Sequence, residues 1–275
     1  MLPPIADNFV AGEHPATALD HVRGLNVDGV AGILNLLGEH YDDRTEADAD
    51  TQAYVDLVRD LDATGLDCCV SVKPSQIGLD LGDDVFQANL SRIVDASDTF
   101  VWIDMEDHTT VDVTLDAYEN HARATDGNVG LCVQANLRRT DADLERLAGL
   151  PGKVRLVKGA YDPPKEVAYK DKSRVDEAYR ENLEFMFREF DGGIGVGSHD
   201  PAMINHARDL HEEYGTDYEV QMLMGVREEE QVDLAASGVP VYQYAPYGDK
   251  WLSYFYRRVR ERKENALFAL RAVLT

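Results

Sequence analysis

The stretch that decides the fold runs from residue 154 to residue 161 and reads Val154-Arg155-Leu156-Val157-Lys158-Gly159-Ala160-Tyr161. Its apolar residues resemble those of a buried β-strand, yet two cations lie inside the run and small residues follow them. Burying a cation is costly unless an anion meets it, and glycine lets a backbone approach a partner closely. The run therefore predicts a strand that ends at one of two kinds of partner. One is a phosphate-bearing or otherwise electron-rich ligand, and the other is the chain's own carboxylates.

Apolar segments with strand character recur on both sides of this run. With it they number eight, at residues 29–37, 66–72, 99–105, 129–133, 154–157, 194–197, 218–222 and 239–244. Segments with helical spacing of apolar residues separate them, at residues 48–63, 84–96, 115–124, 141–148, 174–190, 201–213 and 228–237, and a last helix is predicted near residues 250–270.

Eight strands that alternate with helices predict an α/β fold of the (β/α)8 TIM-like barrel type. An open, doubly wound sheet is the alternative, although no Gly-x-Gly-x-x-Gly follows an early strand. No low-complexity linker divides the sequence. We therefore expect a single domain over residues 1–275.

The composition is strongly acidic. The chain has 275 residues with 51 Asp and Glu against 27 Lys and Arg, a formal net charge of −24. This balance argues against nucleic acid and anionic lipid as electrostatic partners. The acids are dispersed and most cations are arginine, which suits solubility in high salt. We hypothesise a halophilic source.

The three cysteines do not form a pattern that binds metal or forms a disulfide framework. Cys68 and Cys69 are adjacent, Cys132 is alone, and no Cys-x-x-Cys occurs. We expect neither a disulfide framework nor a metal site. The first residues lack the features of a signal peptide, and no apolar run is long enough to span a bilayer. We expect a cytoplasmic protein.

Polar residues follow nearly every predicted strand, at the end where a barrel places its active site. The main ones are Glu39, Lys73, Ser75, Asp104, Glu106, Gln134, Asn136, Arg155, Lys158, Tyr161, Ser198, His199, Asp200, Gln221 and Tyr244. Any one of them has an ordinary explanation, since Ser198 and Asp200, for example, are both good helix N-caps. Together they predict one site at a common rim.

The last predicted helix carries a second group of polar residues. Tyr254, Arg257, Arg258 and Glu261 are spaced so that they share one helix face. Two adjacent arginines hold a carboxylate by paired N–H donors, and an acid one turn away orients them. A solvated, salt-bridged face is the alternative, and on the helix alone it is the commoner use of these residue types.

Taken in order, these motifs resemble the proline dehydrogenases, flavoenzymes with a distorted (β/α)8 barrel and a C-terminal helix over the active site. The resemblance extends from about residue 32 to residue 265. Its most specific parts are residues 155–161 and residues 244–248 followed by Tyr254, Arg257, Arg258 and Glu261. Supporting parts are Leu37 to Glu39, Lys73 with Ser75, Asp104 with Glu106, Gln134 with Ala135, and Gln221 with Leu223 and Gly225.

The resemblance implies a monofunctional enzyme that uses FAD to oxidise L-proline to Δ1-pyrroline-5-carboxylate by hydride transfer to flavin N5. This is the first step of proline catabolism to glutamate. It implies catalytic roles for Asp104, Arg155 and Lys73. It implies substrate contacts for Lys73, Asp104, Tyr161, Leu223, Tyr244, Tyr254, Arg257, Arg258 and Glu261. It implies FAD contacts for Gln134, Arg155, Val157, Lys158, Gly159, Ser198, His199 and Gln221.

The resemblance also implies quinone as the electron acceptor, and with it peripheral contact at the inner face of the membrane. Two departures bear on the site: the family usually has Thr-His-Asn where this chain has Ser198-His199-Asp200, and Arg262 replaces the family's usual Asn. Two other functions stay open on the residues alone. One is another FAD barrel, such as a methylenetetrahydrofolate reductase, and the other is a non-redox barrel enzyme that binds phosphate.

Overall fold

Eight parallel strands close into a barrel in the computed structural model, which describes residues 8–251. Each strand pairs with its neighbours in chain order, and β8 closes the ring against β1 with Ile33 opposite Tyr244. The strands are β1 Ala31–Leu36, β2 Cys68–Val72, β3 Val101–Ile103, β4 Val129–Gln134, β5 Lys153–Val157, β6 Ile194–Gly197, β7 Tyr218–Leu223 and β8 Val241–Tyr247. The closed ring confirms the barrel and excludes the open sheet.

Helices surround the barrel. They are α1 Pro15–Val27, α2 Arg44–Thr64, α3 Asp83–Val94, α4 Val111–Ala124, α5 Thr140–Leu147, α6 Lys172–Glu189, α7 Pro201–Tyr214 and α8 Glu228–Ala236, with a 3₁₀ turn at Leu79–Leu81. The side chains of Asp43, Asp171 and Asp200 accept hydrogen bonds from backbone N–H groups in the first turns of α2, α6 and α7. These N-caps explain why those helices begin where they do. The predicted helix near residues 250–270 lies outside the described residues beyond Trp251.

Seven strands differ by one to three residues from their predicted bounds, and β3 and β8 differ most. β3 ends at Ile103, two residues early, because Asp104 leaves the ladder after its N–H donates to the carbonyl of Val72 at 2.9 Å. β8 continues three residues further, to Tyr247, and includes Pro246, which has no N–H to donate. The carbonyl of Pro246 instead accepts from the N–H of Ala11 at 2.8 Å. Both differences arise from long-range pairing.

Helix α1 was not predicted from the sequence. It contacts β1 and β8, and it buries Ala18, Leu19 and Val22. Gly32 on β1 makes the contact close, since a Cβ there would lie 2.8 Å from Val22 Cγ2. The helix has only a weak apolar stripe, so its stability comes from packing rather than from its own pattern.

The barrel interior has an aromatic side and a charged side. Ile33, Cys69 and Trp102 are buried together, with the rings of Phe100, Tyr242 and Tyr244 packed against them. The charged side carries Lys153, Arg155, Glu219 and Gln221, and its two cations lie against these rings. Gly130 leaves the space that the Trp102 ring fills, since a Cβ there would lie 2.4 Å from that ring. Within residues 8–251, no helix combines the length and the apolar character needed to cross a membrane.

Candidate functional site

Arg155 occupies the centre of the candidate site. Its side chain is 5% exposed, and its guanidinium forms an ion pair with Asp104, a residue that follows β3. Nη1 donates to Gln221 Oε1 at 2.9 Å, and the guanidinium carbon lies 4.9 Å from the centre of the Trp102 ring. Burial opposes the charge, but neighbouring Cys132 and Asp104 outweigh it and raise the pKa of Arg155 above its ordinary value. The cation is therefore permanent.

Asp104 accepts hydrogen bonds at both carboxylate oxygens. Ser71 Oγ donates to Oδ1 at 2.7 Å, beside the contact from Arg155, and Tyr244 donates to Oδ2 at 2.9 Å. Burial, and after it the charge of Asp104, raises the pKa of Tyr244 well above its ordinary value. Tyr244 therefore keeps its proton and acts as a donor. Residues from β2, β5 and β8 thus surround one anion that follows β3, and Ser71, Asp104, Arg155 and Tyr244 together form the Arg155 cluster.

Lys73 is held beside this cluster at the end of β2. It is 8% exposed, and its Nζ donates to Asn35 Oδ1 at 2.8 Å. The Asn35 amide in turn donates to the carbonyl of Ser71 at 2.8 Å and to the hydroxyl of Tyr54 at 3.2 Å. Asn35 thus fixes the position of the lysine ammonium.

Glu106 forms a second buried anion near the rim. It is 3% exposed, and its carboxylate accepts from the N–H of Ser75 at 2.7 Å and from the Ser75 hydroxyl at 2.9 Å. Tyr161 lies 3.4 Å away through its hydroxyl. Burial raises the pKa of Glu106, although the Ser75 N–H and the charge of Lys73 oppose the increase. A cavity of about 150 Å³ opens beside Glu106 and Tyr161.

Polar groups without a hydrogen-bond partner lie at the end of β4 and just beyond it. Within the part of the chain that the structure describes, the buried atoms Gln134 Oε1 and Asn136 Oδ1 have none. Gly159 approaches Asn136 closely, since a Cβ at Gly159 would lie 2.3 Å from Asn136 Oδ1. These oxygens are free to accept hydrogen bonds from a ligand.

Lys158 is held by carboxylates of the chain itself. Its Nζ contacts Asp176 on α6 and Asp200, the N-cap of α7, the latter at 2.9 Å. Burial opposes ionisation of Asp176 and of Asp200, but the bonds from Lys158 prevail and lower the pKa of both. Both cations of the run at residues 154–161 therefore have carboxylate partners.

The ends of β6 and β7 are connected through His199. The backbone N–H of Leu223 donates to His199 Nε2 at 2.8 Å. Ser198 is 6% exposed, and its hydroxyl accepts from the N–H of Asp200 at 3.1 Å. Val157 is half-buried beside Gly197, whose Cβ would lie 2.7 Å from it. The four predicted residues on the last helix, Tyr254, Arg257, Arg258 and Glu261, lie outside the described residues.

The sequence analysis did not identify three residues that support the Arg155 cluster. Ser71 is inside β2 rather than at its end, Asn35 is inside β1, and Trp102 is in β3. Ser71 shares its strand face with Cys69 and Lys73, and that two-residue alternation was the signal that could have revealed it.

A larger cavity lies away from this site. It measures about 930 Å³ and opens near the amino-terminal ends of β5 to β8, where its lining includes Lys153, Arg208, His211, Glu212, Glu219 and Tyr242. Barrel active sites lie at the opposite, carboxyl-terminal ends of the strands. We therefore place the candidate active site at the Arg155 cluster rather than at the larger cavity.

Similarity to known proteins agrees with this geometry. The proline dehydrogenase family model matches residues 18–271. A proline dehydrogenase of Deinococcus radiodurans is 37% identical over 280 residues, which cover 98% of this chain and 90% of that protein. Proline dehydrogenase 1 of Bacillus subtilis strain 168 is 32% identical over 275 residues, with the same coverage of 98% and 90%.

Solved structures show the same fold. Proline utilization A (PutA) from Bdellovibrio bacteriovorus, inactivated by N-propargylglycine, aligns with a TM-score of 0.82 at 22% identity. The alignment covers 92% of this chain and 32% of that much longer one. PutA from Corynebacterium freiburgense aligns with a TM-score of 0.79, also at 22% identity, over 96% of this chain and 32% of its own. The sequence matches, together with this barrel, show that the chain belongs to the proline dehydrogenase family.

Proposed function

We propose that this chain is an FAD-dependent proline dehydrogenase, which oxidises L-proline to Δ1-pyrroline-5-carboxylate in the first step of proline catabolism to glutamate. The observation that carries the proposal is the buried guanidinium of Arg155, bonded to Asp104 at the carboxyl-terminal end of the barrel. A fixed cation there favours a reaction in which an electron acceptor gains negative charge. Family membership favours proline oxidation over folate reduction or non-redox phosphate chemistry.

The residues at the rim fit FAD. Gln134 Oε1 and Asn136 Oδ1 are unpartnered acceptors within the described residues, suited to the N–H groups of a flavin nucleotide. Gly159 has no side chain, which leaves room for the Asn136 amide beside the end of β5. The residues proposed to hold FAD are Gln134, Arg155, Val157, Lys158, Gly159, Ser198, His199 and Gln221. When bound, FAD supplies the acceptor for the hydride that leaves C5 of proline.

One feature of the site opposes binding of the FAD phosphates at Lys158. Lys158, the proposed phosphate cation, is already held by Asp176 and Asp200. A diphosphate bound at Lys158 would share that cation with two carboxylates, which repel it. We therefore propose that Lys158 contributes less to FAD affinity here than an unpaired lysine would.

The substrate is proposed to lie between the barrel cluster and the last helix. Lys73, Arg257 and Arg258 would bind the proline carboxylate, and Glu261 would orient the arginines. Tyr161, Leu223, Tyr244 and Tyr254 would pack against the pyrrolidine ring and exclude water.

Asp104 is proposed to face the substrate nitrogen. The reactive form of proline is the neutral amine, whose lone pair assists loss of hydride from C5. An isolated carboxylate would stabilise the ammonium instead. Arg155 offsets the charge of Asp104, and Ser71 and Tyr244 donate to its two oxygens, which leaves Oδ2 able to accept a further hydrogen bond. The arrangement lets Asp104 orient the nitrogen without strongly favouring its protonated form.

We propose that a quinone reoxidises the enzyme, through peripheral contact of a cytoplasmic protein with the inner face of the membrane. The dispersed acidic charge of the chain disfavours anionic lipid. Contact would therefore depend on apolar residues, for which the terminal segment at residues 266–274 is the candidate.

The decisive experiment is an absorbance spectrum of the purified protein before and after anaerobic addition of proline. We expect flavin bands that bleach with proline and return with a quinone analogue. A colourless protein that takes up no FAD would overturn the proposal.

Variants of the last helix test the carboxylate contacts. Arg257→Met and Arg258→Met should each raise the apparent KM for proline about tenfold to a hundredfold, because each removes charge-assisted hydrogen bonds, while flavin stays bound. Arg260→Met is the matched control, since its spacing places it on another face of the predicted helix. Unchanged proline affinity in both arginine variants would refute the carboxylate assignment.

A further inference from the structure

We propose that Glu219, near the start of β7, is a positioning residue for Arg155 that acts through Gln221. It fixes the direction in which the Gln221 amide faces, and through it the direction of the guanidinium. The inference rests on the proposed function, because that function places Arg155 beside the electron acceptor.

The hydrogen bonds of Gln221 permit only one amide orientation. Its Nε2 donates to Glu219 Oε1 at 2.6 Å, and its Oε1 accepts from Arg155 Nη1 at 2.9 Å. An ionised carboxylate only accepts and a guanidinium only donates, so the reversed amide would satisfy neither partner. Glu219, Gln221 and Arg155 are 6%, 4% and 4% exposed, so water cannot readily replace either bond.

Glycine in β6 makes this contact possible. β6 lies between β5 and β7, and Gly195 is paired in register with Arg155 on one side and with Glu219 on the other. A Cβ at Gly195 would lie 3.1 Å from Arg155 Cβ and 3.1 Å from Gln221 Nε2. Side chains of β5 and β7 therefore meet across a strand that places no side chain between them.

Lys153, Glu219, Gln221, Arg155 and Asp104 form a row of side chains from the base of the barrel to the site. The charges along this row alternate in sign. Lys153 Nζ lies 2.5 Å from Glu219 Oε2, and its side chain is 33% exposed toward the cavity at the base. Beyond Glu219 come the Gln221 amide, the Arg155 guanidinium and the Asp104 carboxylate. With Nη1 held by Gln221, Nη2 is directed at Asp104 and Ser71. Loss of the acceptor at Glu219 would leave the Gln221 NH2 without this partner and remove one of the two hydrogen bonds that fix the amide, so the amide would hold the guanidinium less firmly.

The test separates hydrogen bonding from charge. Glu219→Gln and Glu219→Leu are each made together with Lys153→Met, so both double variants remove the same ion pair, but only the glutamine keeps an acceptor for Gln221. We expect the glutamine double variant to keep the wild-type flavin potential and kcat. The leucine double variant should shift the potential and lower kcat about tenfold, the low end of losses seen when an outer hydrogen-bond partner is removed at metal sites. The KM for proline should change less than kcat.

A second readout does not depend on flavin. In the flavin-free protein with ¹⁵N-labelled arginine, the guanidinium signals of Arg155 should shift in the leucine double variant and not in the glutamine one. Arg155→Lys assigns those signals. If the leucine double variant does not fold, Gln221→Met removes the same amide without changing charge and should shift the same signals.

Unchanged Arg155 signals together with an unchanged flavin potential in a folded leucine or Gln221→Met variant would overturn the positioning role. Equal shifts in the two double variants would also overturn it, because the effect would then be one of charge alone. If wild type shows no proline-dependent bleaching, the proposed function fails. The guanidinium signals still decide whether Glu219 orients Arg155.

Discussion

The ion pair between Arg155 and Asp104 should contribute strongly to folding stability. Arg155→Met leaves the carboxylate of Asp104 without its cation in a site where Asp104 is 15% exposed. Removing one partner of a buried pair costs about 3–5 kcal/mol. Ser71 and Tyr244 still donate to Asp104, at 2.7 Å and 2.9 Å. We therefore expect Arg155→Met to lower the free energy of unfolding by about 3 kcal/mol, the low end of this range, which is about a hundredfold in the unfolding equilibrium.

The assay is urea unfolding of the flavin-free protein at one fixed, high salt concentration. The fluorescence of Trp102 is a suitable local probe, since this residue is 1% exposed and stacks near the guanidinium. Arg155→Met combined with Asp104→Asn should cost about 2 kcal/mol less than the sum of the single changes, because no unpaired charge remains. A cost below about 1 kcal/mol for Arg155→Met, or additive single changes, would refute the reasoning.

A surface pair provides the control. Arg44 and Asp48 on α2 form an ion pair with side chains 56% and 41% exposed. Arg44→Met should cost less than about 0.5 kcal/mol, and that cost should shrink further with salt. The contrast between the two arginines tests burial as the cause.

Four further outcomes follow from the structure. Gly130→Ala places a Cβ 2.4 Å from the Trp102 ring and should destabilise the fold by about 1–3 kcal/mol, measured as a fall in Tm; an unchanged Tm would mean that the ring has room to move. Asp200→Asn keeps a good N-cap but removes one of the two carboxylates that contact Lys158. If Lys158 contacts the FAD diphosphate, the variant should bind FAD about fivefold more tightly, as measured by calorimetry. An unchanged FAD affinity would show that Lys158 does not contact the diphosphate. Burial raises the pKa of Glu106 in the folded state, so wild type loses stability as pH rises through that pKa. The Tm of Glu106→Gln minus the Tm of wild type should therefore rise between pH 4 and pH 8. A Tm difference that stays constant over this range would contradict the assignment. Dialysis into low salt should lower the Tm of a chain with net charge −24, whereas unchanged stability counts against a halophilic source.

Much of the fold could be predicted because apolar alternation is a local property. All eight strands lie within a few residues of their predicted positions. Two features of the fold that the sequence did not predict have long-range causes. Helix α1 is stabilised by packing on β1 and β8, and β8 is extended through Pro246 by contacts with β1 and the amino-terminal segment. Neither feature has a local pattern strong enough to predict it.

The site was only partly predictable for a related reason. Residues at or near the predicted strand ends are brought together by any barrel, so Asp104, Arg155 and Tyr244 could be named from the sequence. Supporting residues inside strands, such as Ser71 and Glu219, acquire a role only once strand register is known. Their polar character on an inward strand face was the available signal.

The sequence by itself determined the number of strands, their order and the kinds of side chain at their ends, because these follow from composition and periodicity along the chain. Only the tertiary structure decided which partners the cations of residues 154–161 meet. Arg155 meets a carboxylate 51 residues away and an amide 66 residues away, and Lys158 is held by two aspartates. Barrel closure sets these partners, since it places strands distant in sequence around a single axis. The glycines of β6 do so as well, since they let side chains meet across an intervening strand.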